Sequence, residues 1–271
     1  MSSSSKFSKP LRGLINNFLG QFDLQIVDKS IRYAEDGLLT THCHDFLEES
    51  DFQQCIKYVE AELGSGWKNK LRYRTYIALQ LAKYAITKSH TFCECGVGDG
   101  VISLSILKYL DIKSLPKPKI FLLDTFEGID VSLVPQREEE YWGVSAEKKK
   151  IAYRAIYNSD FEQVRARFNK LSEDYELVRG TIPESINKKL LNKIKESGLI
   201  SFLHIDMNNS VPEVEALKAF YPKVIEGGVI LFDDYAYNGY EFQKKAIDDA
   251  CDGLGISSPI CLPTGQGLLL K

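Results

Sequence analysis

The chain has 271 residues, of which 44% are hydrophobic and 26% charged, enough to bury a substantial core and too apolar for a disordered or collagen-like chain. Thirty-four Lys and Arg against 37 Asp and Glu leave a formal charge of -3, which gives no general attraction for polyanions and argues against a nucleic-acid binder. The longest apolar runs, such as Leu199 to Leu203 and Val229 to Phe232, are far short of the ~20 residues of a membrane span.

The start, MSSSSKFSKPLRG, is polar, has no secretory leader pattern and reads as a mobile tail. The cysteines Cys43, Cys55, Cys93, Cys95, Cys251 and Cys261 include no pair with the two-residue gap of zinc knuckles or redox dithiols. They read as reduced thiols, and the chain as cytoplasmic. The division expected is an N-terminal tail and helical addition over 1–69 and a main domain over 70–271. In THCHDF, His42, His44 and Asp45 are spaced for a small metal cluster or a lid, against the plainer reading of a polar loop. Residues 50–88 carry apolar positions at helical spacing, with Ile77, Leu81, Tyr84 and Ala85 on one face.

From there strands and helices alternate. TFCEC reads as a buried strand, GVGDG as a glycine-rich turn and VISLSILKYL as a helix; KIFLLD is a second strand whose continuous apolar run fits a parallel sheet. The charge-rich stretch 137–172 reads as helical, and its EEEYWGVSAEKKK run could be a substrate lid bearing Tyr141 and Trp142 or a solvated helix face. YELVRG and LISFLHID are further strands separated by a lysine-rich helix. Ser210 and Glu213 have capping-box spacing at the head of a helix through Tyr221, and Gly227-Gly228 reads as the turn into the strand VILFDD. Residues 240–253 read as a helix, with ISSPICL and GLLLK as a terminal hairpin around PTGQ. The pattern predicts an α/β fold with a doubly wound, Rossmann-like, mostly parallel sheet, N-terminal helices and an antiparallel C-terminal hairpin strand.

Gly96, Gly98 and Gly100 in ECGVGDG lie between strand and helix, where absent side chains admit a ligand to the backbone. Asp124 ends the next strand, 24 positions after Gly100, placed to accept hydrogen bonds from ribose hydroxyls. Together they suggest an adenosine-containing ligand. Glu94 and Asp99 add negative charge where a pyrophosphate would sit, so a phosphate-free cation such as S-adenosylmethionine fits better than a dinucleotide. Asp206, closing LISFLHID, and Asp233 with Asp234, closing VILFDD, should converge at adjacent strand tips. Such a cluster suits Mg²⁺, or else caps a turn and pairs with basic residues. His204 reads as a satisfied core histidine.

ECGVGDG, LLDTFEG, HIDMNNSVPEVEALKAFYPKVIEGGVILFDDY and LPTGQGLLLK together resemble the class I S-adenosylmethionine-dependent methyltransferases related to the macrocin and mycinamicin O-methyltransferases, over about residues 70–271. The resemblance implies a seven-stranded sheet whose last strand inserts antiparallel. It also implies Mg²⁺-dependent methyl transfer to a hydroxyl of a sugar-like small molecule, in at least a dimer; the charge balance and the short apolar runs already argue against nucleic-acid and membrane partners. Glu94, Gly96, Gly98, Asp124, Thr125 and Phe126 would bind the cofactor, Asp206, Asp233 and Asp234 would hold the metal, and Asp206 and Asn208 would be the catalytic pair. Asn208 departs from the pattern, since the antibiotic-sugar enzymes carry there an aspartate suited to be a base, and an amide takes no proton at neutral pH. A Rossmann-type oxidoreductase and a non-catalytic S-adenosylmethionine-binding protein are the rival readings.

Overall fold

The computed structural model describes residues 9–19, 31–42, 44–64, 68–157 and 160–271. The chain divides into two compact units, Met1–Asp45 and Phe46–Lys271. The first contains helix α1 (Lys9–Leu19) and a two-stranded antiparallel hairpin, β1 (Tyr33–Glu35) with β2 (Leu38–Thr40). The tail expected at the start is helical from Lys9 onward, and its first eight residues lie outside the described part. The hairpin has strands of three residues, too short for periodicity to reveal.

The second unit begins with two helices, α2 (Ser50–Leu63) and α3 (Arg72–Ala85), where the sequence suggested one continuous helical region. Gly64 ends α2 at φ 106°, outside the helical range. Next come β3 (Thr91–Cys95), α4 (Val101–Ile112) and β4 (Lys119–Asp124), then the short helices α5 (Gln136–Trp142), α6 (Ala146–Ile156) and α7 (Phe161–Phe168). The chain continues through β5 (Tyr175–Arg179), α8 (Lys188–Ser197), β6 (Ile200–Ile205), α9 (Ser210–Phe220), β7 (Val224–Phe232), α10 (Glu241–Leu254), β8 (Ile260–Cys261) and β9 (Gly267–Leu270).

The sheet order is β5-β4-β3-β6-β7-β9-β8, with β5 through β7 parallel and β9 antiparallel to both neighbours. Chain order reverses at β3, whose neighbours are β4 on one side and β6 on the other. That reversal opens a crevice outside the carboxyl ends of these two strands, where ligands of doubly wound sheets bind.

Alternation of side chains divides the core. Cys93, Cys95, Leu203, Ile205, Ile230 and Phe232 face the layer formed by α8, α9 and α10. The intervening residues take the opposite face, where Phe92 and Phe202 meet at 5.4 Å and Glu94 stands opposite His204 in register. β3 and β6 are buried on both faces, so that even their polar members Thr91, Glu94, Ser201 and His204 are enclosed.

Two local expectations change. Gly227-Gly228 lies inside β7: pairing passes from Ile200↔Val224 to Phe202↔Val229, so extra β7 residues form a bulge there. A Cβ on Gly228 would lie 2.6 Å from Val224 Cγ1, so the bulge excludes any larger residue. At α9 the N-cap is Asn209, whose side chain accepts from Val211 N–H, rather than a Ser210–Glu213 box. Glu213 instead accepts from the backbone N–H groups of Met207 and Asn208, drawing the loop after β6 onto the helix.

Leu203 is fully buried in β6 between two parallel neighbours. Leu203→Ala should cost about 2–5 kcal/mol of stability, read as a lower urea midpoint with an unchanged slope.

Candidate active site

The tips of β3, β4 and β6 surround a cleft of about 390 Å³. Strand pairing continues just past the strands: Gly96 N–H donates to Leu123 O, Asp206 N–H to Cys95 O and Asp233 N–H to Ile205 O, at 2.8 to 2.9 Å. These bonds fix where each loop leaves the sheet. Gly96 has φ 86°, and a Cβ there would lie 1.7 Å from Asp206 O, so the glycine permits the two loops to touch. Gly98 and Gly100 also have positive φ, and Gly100 is the N-cap of α4.

Asp124 lines this cleft and is spent largely on its own loop. Oδ2 accepts from Val97 N–H (2.6 Å) and Gly98 N–H (2.8 Å), and Oδ1 accepts from Phe126 N–H (2.6 Å). Burial raises its carboxyl pKa, with these N–H groups opposing the shift. Thr125 donates to Gly128 O and Phe126 packs edge-on against Phe161, so both shape the turn, and both line the cleft. Glu94, 3% exposed, is gripped by the Ser103 hydroxyl and by His204 Nδ1 at 2.9 Å.

The opposite wall comes from α6 and the loop after β6. Asn208 sits at φ 56°, a left-handed conformation that asparagine tolerates, with its N–H held by Glu213. Its Nδ2 donates to Asp206 Oδ1 (3.1 Å), while its Oδ1 accepts from the hydroxyls of Tyr153 and Tyr240, each at 2.7 Å. The structure therefore brings Asp206 and Asn208 together. Lys149 Nζ lies 3.4 Å from the centre of the Trp142 ring and 4.5 Å from that of Tyr240, tying α6 to the start of α10. Burial lowers the Lys149 pKa to about 8.

Tyr153, Arg154 and Tyr157 line the cleft, and the Tyr157 ring lies 3.4 Å from where a Gly98 Cβ would be. Tyr141 and Trp142, for which the sequence allows a lid but favours a solvated helix face, do not line it; Tyr141 instead hydrogen-bonds Glu241. Tyr153 and Tyr157 were hidden in a charge-rich stretch, and their four-residue spacing on one helix face was the available signal. Among the described residues, His42, His44 and Asp45 form no group that could hold a metal.

The sequence profile of the macrocin-O-methyltransferase (TylF) family matches residues 85–262, a span from the end of α3 to the start of the terminal hairpin. The chain belongs to the macrocin-O-methyltransferase family. A Streptomyces olivaceus protein named 8-demethyl-8-(2,3-dimethoxy-alpha-L-rhamnosyl)-tetracenomycin-C 4'-O-methyltransferase is 23% identical over 181 residues, 66% of this chain. That alignment spans 64% of the relative's length. Among solved structures, the O-methyltransferase NovP superposes with TM-score 0.57 at 19% identity, covering 73% of this chain and 79% of its own. The calicheamicin methyltransferase CalS11 does so with TM-score 0.57 at 16% identity, covering 90% and 99%. These superpositions bear on the fold alone.

Macrocin-O-methyltransferase resemblance implied a magnesium ion on Asp206, Asp233 and Asp234, and the folded residues do not fit one. Among the described residues no group of three His, Cys, Asp or Glu is arranged to hold a metal. Instead Arg74 of α3, 3% exposed, donates through Nη1 to Asp233 Oδ2 (2.6 Å), Asp234 Oδ1 (2.9 Å) and Asp233 O (3.0 Å), and through Nη2 to Thr264 O (3.3 Å). Gln266 Nε2 donates to Asp233 Oδ1 (3.1 Å), and the Thr264 hydroxyl holds Gln266 Oε1. This network accounts for the PTGQG segment: its threonine carbonyl and its glutamine complete the shell around Arg74 and Asp233. No local pattern in the sequence points to Arg74, which lies 159 positions from its partner.

His204, fully buried, stands between Glu94 and Asp233, with Nε2 3.5 Å from Asp233 Oδ1, a charge contact longer than a good hydrogen bond. Burial favours the neutral imidazole, but Asp233 and Glu94 outweigh it and raise the pKa to about 10. Burial works against the Asp233 anion, and the charges of Arg74 and His204 more than offset it, holding this carboxyl well below its ordinary range. Burial and the charges of Asp233 and Asp234 push Asp206 the other way, well above its ordinary value. His204 is thus a core histidine, as expected, but not a fully satisfied one: Nδ1 meets Glu94 while Nε2 makes no good hydrogen bond.

Because the folded pKa of His204 exceeds the unfolded value of about 6.5, its charge stabilises the fold fully below that pH and progressively less as pH rises to about 10. The Tm advantage of wild type over His204→Gln should therefore shrink across that window, measured by thermal melts at fixed ionic strength.

Proposed function

We propose that the chain is an S-adenosylmethionine-dependent O-methyltransferase that methylates a hydroxyl of a small, sugar-like or natural-product molecule. The observation that carries this reading is the carboxylate-lined cleft directly over the Gly96 turn, in a chain of this family. The lining carboxylates, Glu94, Asp99, Asp124, Asp130, Asp206 and Asp233, outnumber the basic residues Lys68, Lys70, Arg74 and Arg154. Acidic walls suit a ligand bearing a sulfonium and an ammonium and disfavour the pyrophosphate of a nicotinamide dinucleotide. The sugar-like acceptor is suggested by the rhamnosyl group in the name of the Streptomyces olivaceus relative and by CalS11, which is described as a TDP-rhamnose 3'-O-methyltransferase.

In this reading Gly96 and Gly98 admit the methionine portion, Glu94 braces that wall through Ser103 and His204, and Asp124 rigidifies the glycine turn beside the ribose. Transfer is an in-line displacement: the acceptor oxygen attacks the methyl carbon, the carbon–sulfur bond breaks, and the products are a methyl ether and a neutral thioether. Alignment of donor and acceptor supplies much of the barrier reduction. Asp206 takes the acceptor's proton. It lines the cleft, and its raised pKa makes its carboxylate a stronger base. Asn208 positions rather than accepts: its amide is fixed between Asp206 and the hydroxyls of Tyr153 and Tyr240, while Tyr157 stands over Gly98 on the cofactor side. No step in this scheme passes through magnesium.

Calorimetry should show binding of S-adenosylmethionine and S-adenosylhomocysteine and none of NAD. Gly96→Val should abolish that binding by displacing the Asp206 loop, and Asp124→Ala should weaken it about 10- to 100-fold by loosening the glycine turn (about 1.4–2.7 kcal/mol). NAD binding by the wild type would overturn the reading.

A further inference from the structure

The three aspartates expected to hold a divalent ion pose an electrostatic problem that the fold must solve in some way, because carboxylates at adjacent strand tips repel unless a cation lies between them. In this chain the cation is a side chain. The Arg74 guanidinium is almost completely buried, and its partners among the described residues include Asp233 Oδ2, Asp234 Oδ1, the Asp233 carbonyl and the Thr264 carbonyl. Its central carbon also lies 4.9 Å from the centre of the Tyr237 ring. The second oxygen of Asp233 is occupied by Gln266 and faced by His204.

Magnesium requires oxygen ligands in near-octahedral array at about 2.0–2.1 Å and retains its waters tightly. Both carboxylate oxygens of Asp233 already accept hydrogen bonds, Oδ2 from Arg74 and Oδ1 from Gln266, so such an ion would have to displace the guanidinium or share its oxygens. A divalent charge drawn to Asp234 would meet a guanidinium that cannot be deprotonated to make room. The remaining carboxylate, Asp206, is turned toward Asn208, which donates to its Oδ1.

We propose that Arg74 replaces the divalent cation in this site, so that the chain holds its cofactor and works without metal. The positive charge that would otherwise be recruited from solution is built into α3 and locked by the PTGQG segment. One consequence is a fixed geometry: a guanidinium tethered to a helix cannot exchange or be chelated away. The inference rests on the proposed methyltransferase reading only for its cofactor arm; the metal arm uses the protein alone, so the two can fail separately.

The test is a titration of the EDTA-stripped full-length chain with Mn²⁺, followed by the EPR signal of the free ion. Wild type should leave that signal unchanged at equimolar Mn²⁺, and Arg74→Lys, which keeps the charge, should behave the same way. Arg74→Ala, with folding checked by circular dichroism, should remove about one equivalent of free Mn²⁺, and Asp234→Asn in that background should abolish the gain. Should the alanine variant not fold, Arg74→Gln, which keeps donors without the charge, carries the same expectation. In parallel, S-adenosylhomocysteine affinity should be identical with EDTA and with excess Mg²⁺. Stoichiometric Mn²⁺ binding by wild type that Asp234→Asn removes would overturn the proposal, as would a folded, uncharged Arg74 variant that still ignores Mn²⁺, or a cofactor affinity that EDTA lowers tenfold.

Discussion

A buried positive charge organises the carboxyl edge of this sheet. Asp206, Asp233, Asp234 and Glu94 approach one another because parallel strands place their C-terminal residues side by side, and carboxylates crowded in that way are stable only with compensation. Arg74 and His204 provide it from inside the protein. Each partner is nearly inaccessible to solvent, so the interaction is screened little by salt, and removing one member of such a buried pair typically costs about 3–5 kcal/mol.

From this arrangement several other features follow. Arg74 can reach the strand tips because α3 packs against β6 and β7 on the face of the sheet opposite the α8–α10 layer. The antiparallel β9 brings Thr264 and Gln266 alongside β7, which closes the shell around Asp233. With Asp233 committed to Arg74 and Asp124 to its own loop, Asp206 lines the cleft beside Asn208, its pKa raised by burial and by the anions nearby. The catalytic proposal and the electrostatic framework are thus one system: Arg74 and His204 hold Asp233 charged, and burial together with the neighbouring carboxylates makes Asp206 more basic.

Asn208 shows how a departure from the family pattern acquires a structural meaning. An aspartate at that position would add another anion next to Asp206, whereas the amide donates to Asp206 and accepts from Tyr153 and Tyr240 at once. Its left-handed backbone is held by Glu213, the residue that a capping-box reading had assigned to Ser210. The loop after β6 is therefore set by helix α9 as much as by the strand that precedes it.

Much of the main unit was legible in the sequence because the signals were local. TFCEC and KIFLLD coincide with β3 and β4, the glycine turn sits between strand and helix, and the terminal hairpin forms as its spacing implied. A short, largely apolar run bounded by turn residues fits a doubly covered parallel strand, and GVGDG can hardly continue either a strand or a helix. Three things were not legible. The Gly227-Gly228 pair could mark a turn or a bulge, and only the pairing of β7 with β6 decided between them. The aromatic wall of the cleft went unseen: Tyr141 and Trp142 were the aromatics weighed for it, yet α6 presents Tyr153 and, just beyond its end, Tyr157. The aspartates were recognisable as a cluster that needs a cation, but the identity of that cation was set by a contact between residues 74 and 233, a separation over which no periodicity or motif carries information. By itself the chain determined its strand–turn–helix order and the acidic character of its cleft, because these depend on neighbours a few residues apart. Tertiary structure alone decided which charge neutralises which, because that depends on side chains meeting across the sheet.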